Sequence, residues 1–187
     1  MKNLSVLKVK IYITGVISLA IWGLLAWDYF HGGVPSHHIL ARKDLPEFSN
    51  WWGGVLLPLL TIFLLYRIEK REKLEESKSP FPEKIIYGFS VALLFGIVLS
   101  IFFTYGNTKM PGIMVLSLFL LALFYPIYRA ECLLGFVIGM TFTFGGVLPT
   151  IIGSIFATIA FLIYKLIRPI RLYVIRLSEN LLNKTRL

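Results

Sequence analysis

An all-α, polytopic integral membrane protein with six transmembrane helices is the fold class this sequence predicts, on three observations. The chain of 187 residues is 57% hydrophobic and only 16% charged, with a mean hydropathy of +0.76. A soluble domain of that size needs more polar surface than this. The apolar residues gather into six long runs, and the basic residues fall almost entirely on one side of the alternation those runs create.

Crossing a hydrocarbon core of about 30 Å as a helix takes roughly 20 predominantly apolar residues. The runs lie at about 11–30, 51–66, 85–105, 112–128, 132–148 and 149–167. The first follows lysines, as a signal peptide would. It is longer than an ordinary signal core, and Trp27-Asp28-Tyr29-Phe30 lacks a small-residue cleavage pattern, so it reads as an uncleaved anchor. Ser49 is placed to N-cap the second run. That run continues into the charged connector 67–84, where Glu69 and Lys73 stand at helical spacing. The connector reads as a helical extension that stops at Ser79-Pro80-Phe81-Pro82.

The third and fourth runs contain no charged residue, and Arg129 and Glu131 follow in a short turn, where a surface or mutual ion pair would orient the chain. The fifth and sixth form one apolar stretch too long for a single ordinary span. Phe144-Gly145-Gly146-Val147-Leu148-Pro149 supplies a break, read as a tight hairpin, with one long tilted helix as the alternative. Residues 1–167 thus make a single six-helix domain. The tail 168–187 places Ile170, Tyr173, Val174, Leu177 and Leu181 on one helical face and reads as a basic amphipathic helix at the membrane interface.

Lys and Arg in short loops stay on the cytoplasmic side. With the N-terminus inside, sixteen basic residues are cytoplasmic and only Arg42, Lys43 and Lys109 are outside. Both termini are therefore expected in the cytoplasm of a bacterial-type cytoplasmic membrane. The net charge of +9 reports topology and affinity for anionic headgroups, not nucleic-acid binding. The single cysteine, Cys132, excludes an intrachain disulfide. Gly135 with Gly139, and Gly153 with Ala157, recur at helix-contact spacing. They suit packing of the fifth and sixth spans, with a dimer interface as the alternative.

No charged residue falls at mid-depth of any run, which argues against a proton-coupled carrier, a haem-spanning cytochrome and a retinal-type Schiff base. Chemistry-bearing groups concentrate in the outer loop instead. All three histidines, His31, His37 and His38, lie there with Asp28, Ser36, Asp44, Glu47 and Ser49-Asn50-Trp51-Trp52.

His31, His37, His38 and Asp28 have the donor chemistry of a divalent metal site such as zinc, with Asp44 and Glu47 as further donors, although the spacing matches no closed zinc pattern. Without metal, a histidine oriented by Asp28 or Asp44 can act as general base, with Ser36 or Ser49 as nucleophile. Gly32-Gly33 would then offer N–H groups to an oxyanion. Asp44, Asn50, Trp51, Trp52 and Lys109 are the candidate substrate contacts. A purely structural reading makes Trp27, Tyr29, Trp51 and Trp52 an aromatic belt and Asp28 and Asn50 helix-end groups.

Neither HGGVPSHH nor SNWWG identifies a family. The expectation is a small membrane enzyme with an outer-interface His/Asp site, hydrolysing a lipid or lipid-like substrate. The alternatives are a binding or transport subunit without catalysis, and an accessory or assembly protein. Membrane lipid is the expected partner, with an oligomer or partner subunit left open.

Overall fold

The computed structural model describes residues 2–38, 47–74, 82–107 and 109–184, with side chains for 6–36, 49–74, 82–107, 109–169 and Tyr173. Among them are six α-helices: α1 Lys2–Phe30, α2 Gly53–Leu74, α3 Glu83–Thr104, α4 Lys109–Ala122, α5 Ala130–Phe144 and α6 Val147–Lys184. The fold is all-α apart from an antiparallel ribbon of two three-residue strands, β1 Ser36–His38 and β2 Glu47–Ser49, which pair Ser36 with Ser49.

Four segments are helical, long and apolar enough to cross a membrane: Val6–Phe30, Asn50–Leu74, Glu83–Thr104 and Val147–Pro169. Helices α4 and α5 are apolar but only 14 and 15 residues long, a rise of about 21 and 23 Å. They are shorter than the runs from which they were anticipated because hydropathy does not register where a helix stops. Pro126 disfavours helical geometry at Tyr125. Residues 123–129 form successive turns in which Tyr125 N–H donates to Leu121 O at 2.9 Å and Arg129 N–H to Pro126 O at 3.2 Å.

The expected hairpin between the last two runs is present. Helix α5 ends at Phe144, Gly145 takes φ 70° and α6 opens at Val147. Only glycine adopts that conformation at no steric cost. Helix α6 departs from expectation at its far end. It continues unbroken for 38 residues to Lys184 with Pro169 inside it, so the tail extends the last helix and is not a separate element. Proline removes one backbone donor, and a long helix can absorb that loss.

The helices alternate in direction, as their contacts show. Lys10 Nζ pairs with Glu69 Oε2 at 2.5 Å at one end of α1 and α2. Gly54 faces Trp22 and Leu25 at the other. Arg71 meets Glu131 at the same end as the Lys10 pair, and Gly53 meets Gly146 at the opposite one. The molecule therefore has a histidine end, with the ribbon and the α5–α6 turn, and a basic end.

Helix α5 sits at the centre, with Leu134, Phe136, Val137 and Met140 all buried. One core cluster joins it to Ile21, Leu25, Leu57 and Leu99, and a second joins Leu134 to Leu64, Leu65, Ile68 and Ile85. The outward faces stay apolar: Ile11, Tyr12 and Leu19 are 63%, 75% and 77% exposed. Water would not tolerate that much exposed apolar surface, whereas lipid does.

The α3–α5 seam corrects the expected role of the paired glycines. A Cβ on Gly135 would strike the Phe89 carbonyl, and one on Gly139 the Leu93 carbonyl, both in α3. These glycines pack the third helix against the fifth, with Gly96 completing the seam, because their missing side chains let two backbones touch. Gly153 alone of the two pairs' glycines serves the fifth–sixth contact, lying against Leu133 and Phe136. Two buried hydroxyls bond to their own helices: Thr61 Oγ1 donates to Leu57 O at 2.8 Å and Thr141 Oγ1 to Val137 O at 2.7 Å.

Candidate functional site

The histidine end is built on the last turn of α1. His31 N–H and Gly33 N–H both donate to Asp28 O, at 3.1 and 2.9 Å. Gly32 and Gly33 take φ 122° and 97°, conformations that L side chains avoid. The glycine pair is therefore a helix stop that turns the chain into β1. The Gly33 N–H is taken up by Asp28 O, so the pair does not offer both of its N–H groups to an oxyanion.

His31 stacks on Trp27, one helical turn earlier, at 3.8 Å between ring centroids and 15° between planes. Its Nδ1 lies 2.9 Å from Trp27 O. A carbonyl oxygen only accepts, so Nδ1 carries the proton and donates to it. In the neutral ring, Nε2 is then the bare acceptor, on a side chain that is exposed. The group orienting His31 is thus Trp27, where the sequence suggested Asp28 or Asp44. The i, i+4 spacing of Trp27 and His31 was the available signal.

The loop's far strand leads into the start of α2. Ser49 Oγ accepts from Trp51 N–H at 3.4 Å, capping a 3-10 turn over Asn50–Trp52 as anticipated for this serine. Asn50 is 5% exposed, and its N–H donates to Pro35 O at 3.1 Å. Its side chain occupies the space that a Cβ on Gly145 would need, and a Cβ on Gly146 would stand 2.8 Å from Gly53 Cα. Asn50 is consequently a strut between the histidine loop and the α5–α6 turn, away from solvent. Trp51 and Trp52 are exposed; Trp51 contacts Trp22 and Tyr29 at 6.2 and 6.3 Å between centroids, as an aromatic belt would.

Lys109 opens α4 at this same end. Asn107 Oδ1 caps that helix, accepting from Lys109 N–H at 3.1 Å and Met110 N–H at 3.0 Å. Phe103 and Phe144 lock the end of α3 to the α5–α6 turn, edge to face at 5.3 Å. Ser36 pairs with Ser49 across the ribbon, and the His37 and His38 backbones continue β1. The His37 and His38 side chains and all of Asp44 lie outside the described residues. Among the described residues, no three His, Cys, Asp or Glu side chains gather closely enough to hold a metal ion. His31 and Asp28 are the members of the proposed ligand set whose side chains are described.

The basic end carries a second polar cluster that the sequence read differently. Glu131 is 2% exposed, and its carboxylate receives both arms of the Arg71 guanidinium, Nη1 to Oε2 at 3.0 Å and Nη2 to Oε1 at 3.1 Å. Arg71 also donates to Glu72 Oε1, and Lys84 Nζ stands 3.4 Å from Glu72 Oε2. Glu131 is therefore a buried, bidentate interhelical anchor to α2, in place of a surface or mutual pair with Arg129. Two carboxylates this deep need a fork-shaped donor to offset their desolvation.

Searches against family models, curated proteins and solved structures find no match to this chain.

Proposed function

We propose that this chain is a six-span protein of a bacterial-type cytoplasmic membrane, with both termini cytoplasmic and the histidine end outside. In this reading it is a small enzyme acting at the outer interface on a lipid or lipid-like substrate. The observation that carries it is the His31 geometry: Nδ1 is committed to Trp27 O, so the neutral ring offers Nε2 outward from an aromatic shelf. That fixed tautomer is what a metal-ligating or general-base histidine requires. Asp28, Ser36, His37, His38 and Asp44 remain the candidates to complete the site, as zinc ligands or as acid, base and nucleophile. Lys109, Trp51 and Trp52 are proposed to meet the headgroup of the substrate. The sixteen-to-three division of basic residues supports the orientation.

A second reading, a binding or accessory subunit without catalysis, is favoured by Asn50. Its buried strut onto Gly145 makes the loop a braced cap. The two readings separate on one experiment: purified protein is loaded with zinc in detergent, its metal content measured, and its action on liposomes of total bacterial lipid followed by mass spectrometry. The enzymatic reading expects turnover that is lost in His31→Ala while the variant still folds. Its metal form is overturned if a variant lacking all three histidines keeps the wild-type zinc stoichiometry. Unaltered lipid with wild-type protein overturns the enzymatic reading.

A further inference from the structure

A cavity of about 490 Å³ lies between α3, α4, α5 and α6, within the roughly 300–1,000 Å³ range of small-molecule sites. Its body is apolar, lined by Ala92, Phe95, Leu118, Phe136 and Phe156. Its rim is polar and belongs to the basic end: Lys84, Tyr125, Arg129 and Glu131.

Length and charge together select an occupant. From Lys84 at the rim to Phe95 in the body is eleven residues of α3, about 16 Å of helix. Half of a hydrocarbon core is about 15 Å, so the cavity is one leaflet deep. At the rim, Glu131 is spent on both arms of Arg71, and Glu72 lies between Arg71 and Lys84. Arg129 stands outside these pairs. Among the described residues no carboxylate pairs with the Arg129 side chain. A monoanionic headgroup above a single hydrocarbon chain matches both the Arg129 charge and the depth.

The geometry points to a lipid site at the basic end: an anionic phospholipid with its phosphate at Arg129 and Lys84 and one acyl chain among Phe95, Phe136 and Phe156. This site is separate from the outer histidines and does not depend on their chemistry. It would hold a lipid of the leaflet opposite the histidine loop, through van der Waals filling of the body and charge at the rim.

Native mass spectrometry of the full chain in detergent, titrated with phosphatidylglycerol, phosphatidylcholine or inorganic phosphate, tests it. The expected result is at least fivefold tighter binding of phosphatidylglycerol than of phosphatidylcholine. Arg129→Gln removes about fivefold from the anionic lipid only, the weight of one basic residue facing an anionic headgroup. Ala157→Phe, which fills the body from α6, weakens both lipids. Should that variant not fold, Val91→Phe fills the same cavity from α3. Equal binding of the two lipids, with no response to either a rim or a filling variant, means non-specific annular lipid and overturns the site. Displacement of bound phosphatidylglycerol by equimolar inorganic phosphate also overturns it, because the rim would then be an anion site with no role for the chain. An outer-site enzyme failing its own test leaves these outcomes unchanged.

Discussion

Replacing Gly96 with alanine tests the close approach of α3 to α5. The new Cβ would stand 2.7 Å from Phe136 O and 3.3 Å from Gly139 Cα, both backbone atoms. Restoring an ordinary separation of 3.4 Å to the carbonyl requires the two helices to part by about 0.7 Å. A radial gap of that size forfeits about a quarter to a half of each dispersion contact, and it does so along the whole seam because rigid helices move together. Overpacking of this kind costs about 1–3 kcal/mol, against a gain of up to about 1 kcal/mol from removing a helical glycine. With the full propensity gain the expected net loss is therefore about 0–2 kcal/mol, and about 1–3 kcal/mol relative to a glycine with open space around it. Gly23→Ala is the control, since nothing lies within 4 Å of a Cβ there, and it should be neutral or slightly stabilising. The assay is reversible unfolding in mixed micelles by titrated SDS, followed by circular dichroism. If Gly96→Ala is as stable as Gly23→Ala, α3 and α5 do not touch through their backbones and the seam described above is wrong.

Two other substitutions probe the ends of the bundle. Glu131→Ala takes from Arg71, whose side chain is 23% exposed, the carboxylate that holds both of its arms. Breaking a buried pair costs about 3–5 kcal/mol, and the partial exposure of Arg71 puts the expected loss in the same unfolding assay near ~3 kcal/mol. A triple variant Arg71→Met, Glu72→Leu and Glu131→Leu, which leaves neither buried carboxylate behind, should regain most of it, and failure to do so would remove the charge pairs as the cause. Gly145→Ala places a side chain at φ 70° and in the space of Asn50. With ψ at −173°, the conformation costs a side chain about 1–3 kcal/mol before the clash is counted. It should raise hydrogen exchange of residues 47–54 while leaving α3 protected, and unchanged exchange there would refute the strut.

The elements that the sequence made legible are those encoded locally. Trp27 to Phe30 end the first helix, Ser49 caps the turn into the second, and Gly145-Gly146 splits a continuous apolar stretch, each readable from neighbouring residues. The stop of α4 at Ala122 was less legible, because Leu123, Phe124 and Tyr125 are as apolar as a span while Pro126 and the turns before it end the helix. Helix α6 misled in the other direction: Arg168-Pro169 looks like a boundary in one dimension, yet the helix runs through it. In the histidine loop the residue types were visible. Their assignment to Trp27 O, Gly145 and Pro35 was not, since those partners are backbone atoms that carry no sequence label.

The amino-acid order by itself determined the solvent, the helical class, the side on which basic charge collects and the loop where ionisable groups gather. Each follows from a property of a short window, namely the length of an apolar run, the chemistry of a turn or the sign of a charge. The tertiary structure decided which helices touch. It set α5 against α3 through Gly96, Gly135 and Gly139, gave Glu131 to Arg71 sixty residues away, buried Asn50 under the last turn, and opened a cavity among four helices. In lipid the apolar faces of all helices are nearly equivalent, so hydropathy does not rank their pairings. Close packing does, and it depends on small residues and buried charges that meet only after the chain has folded.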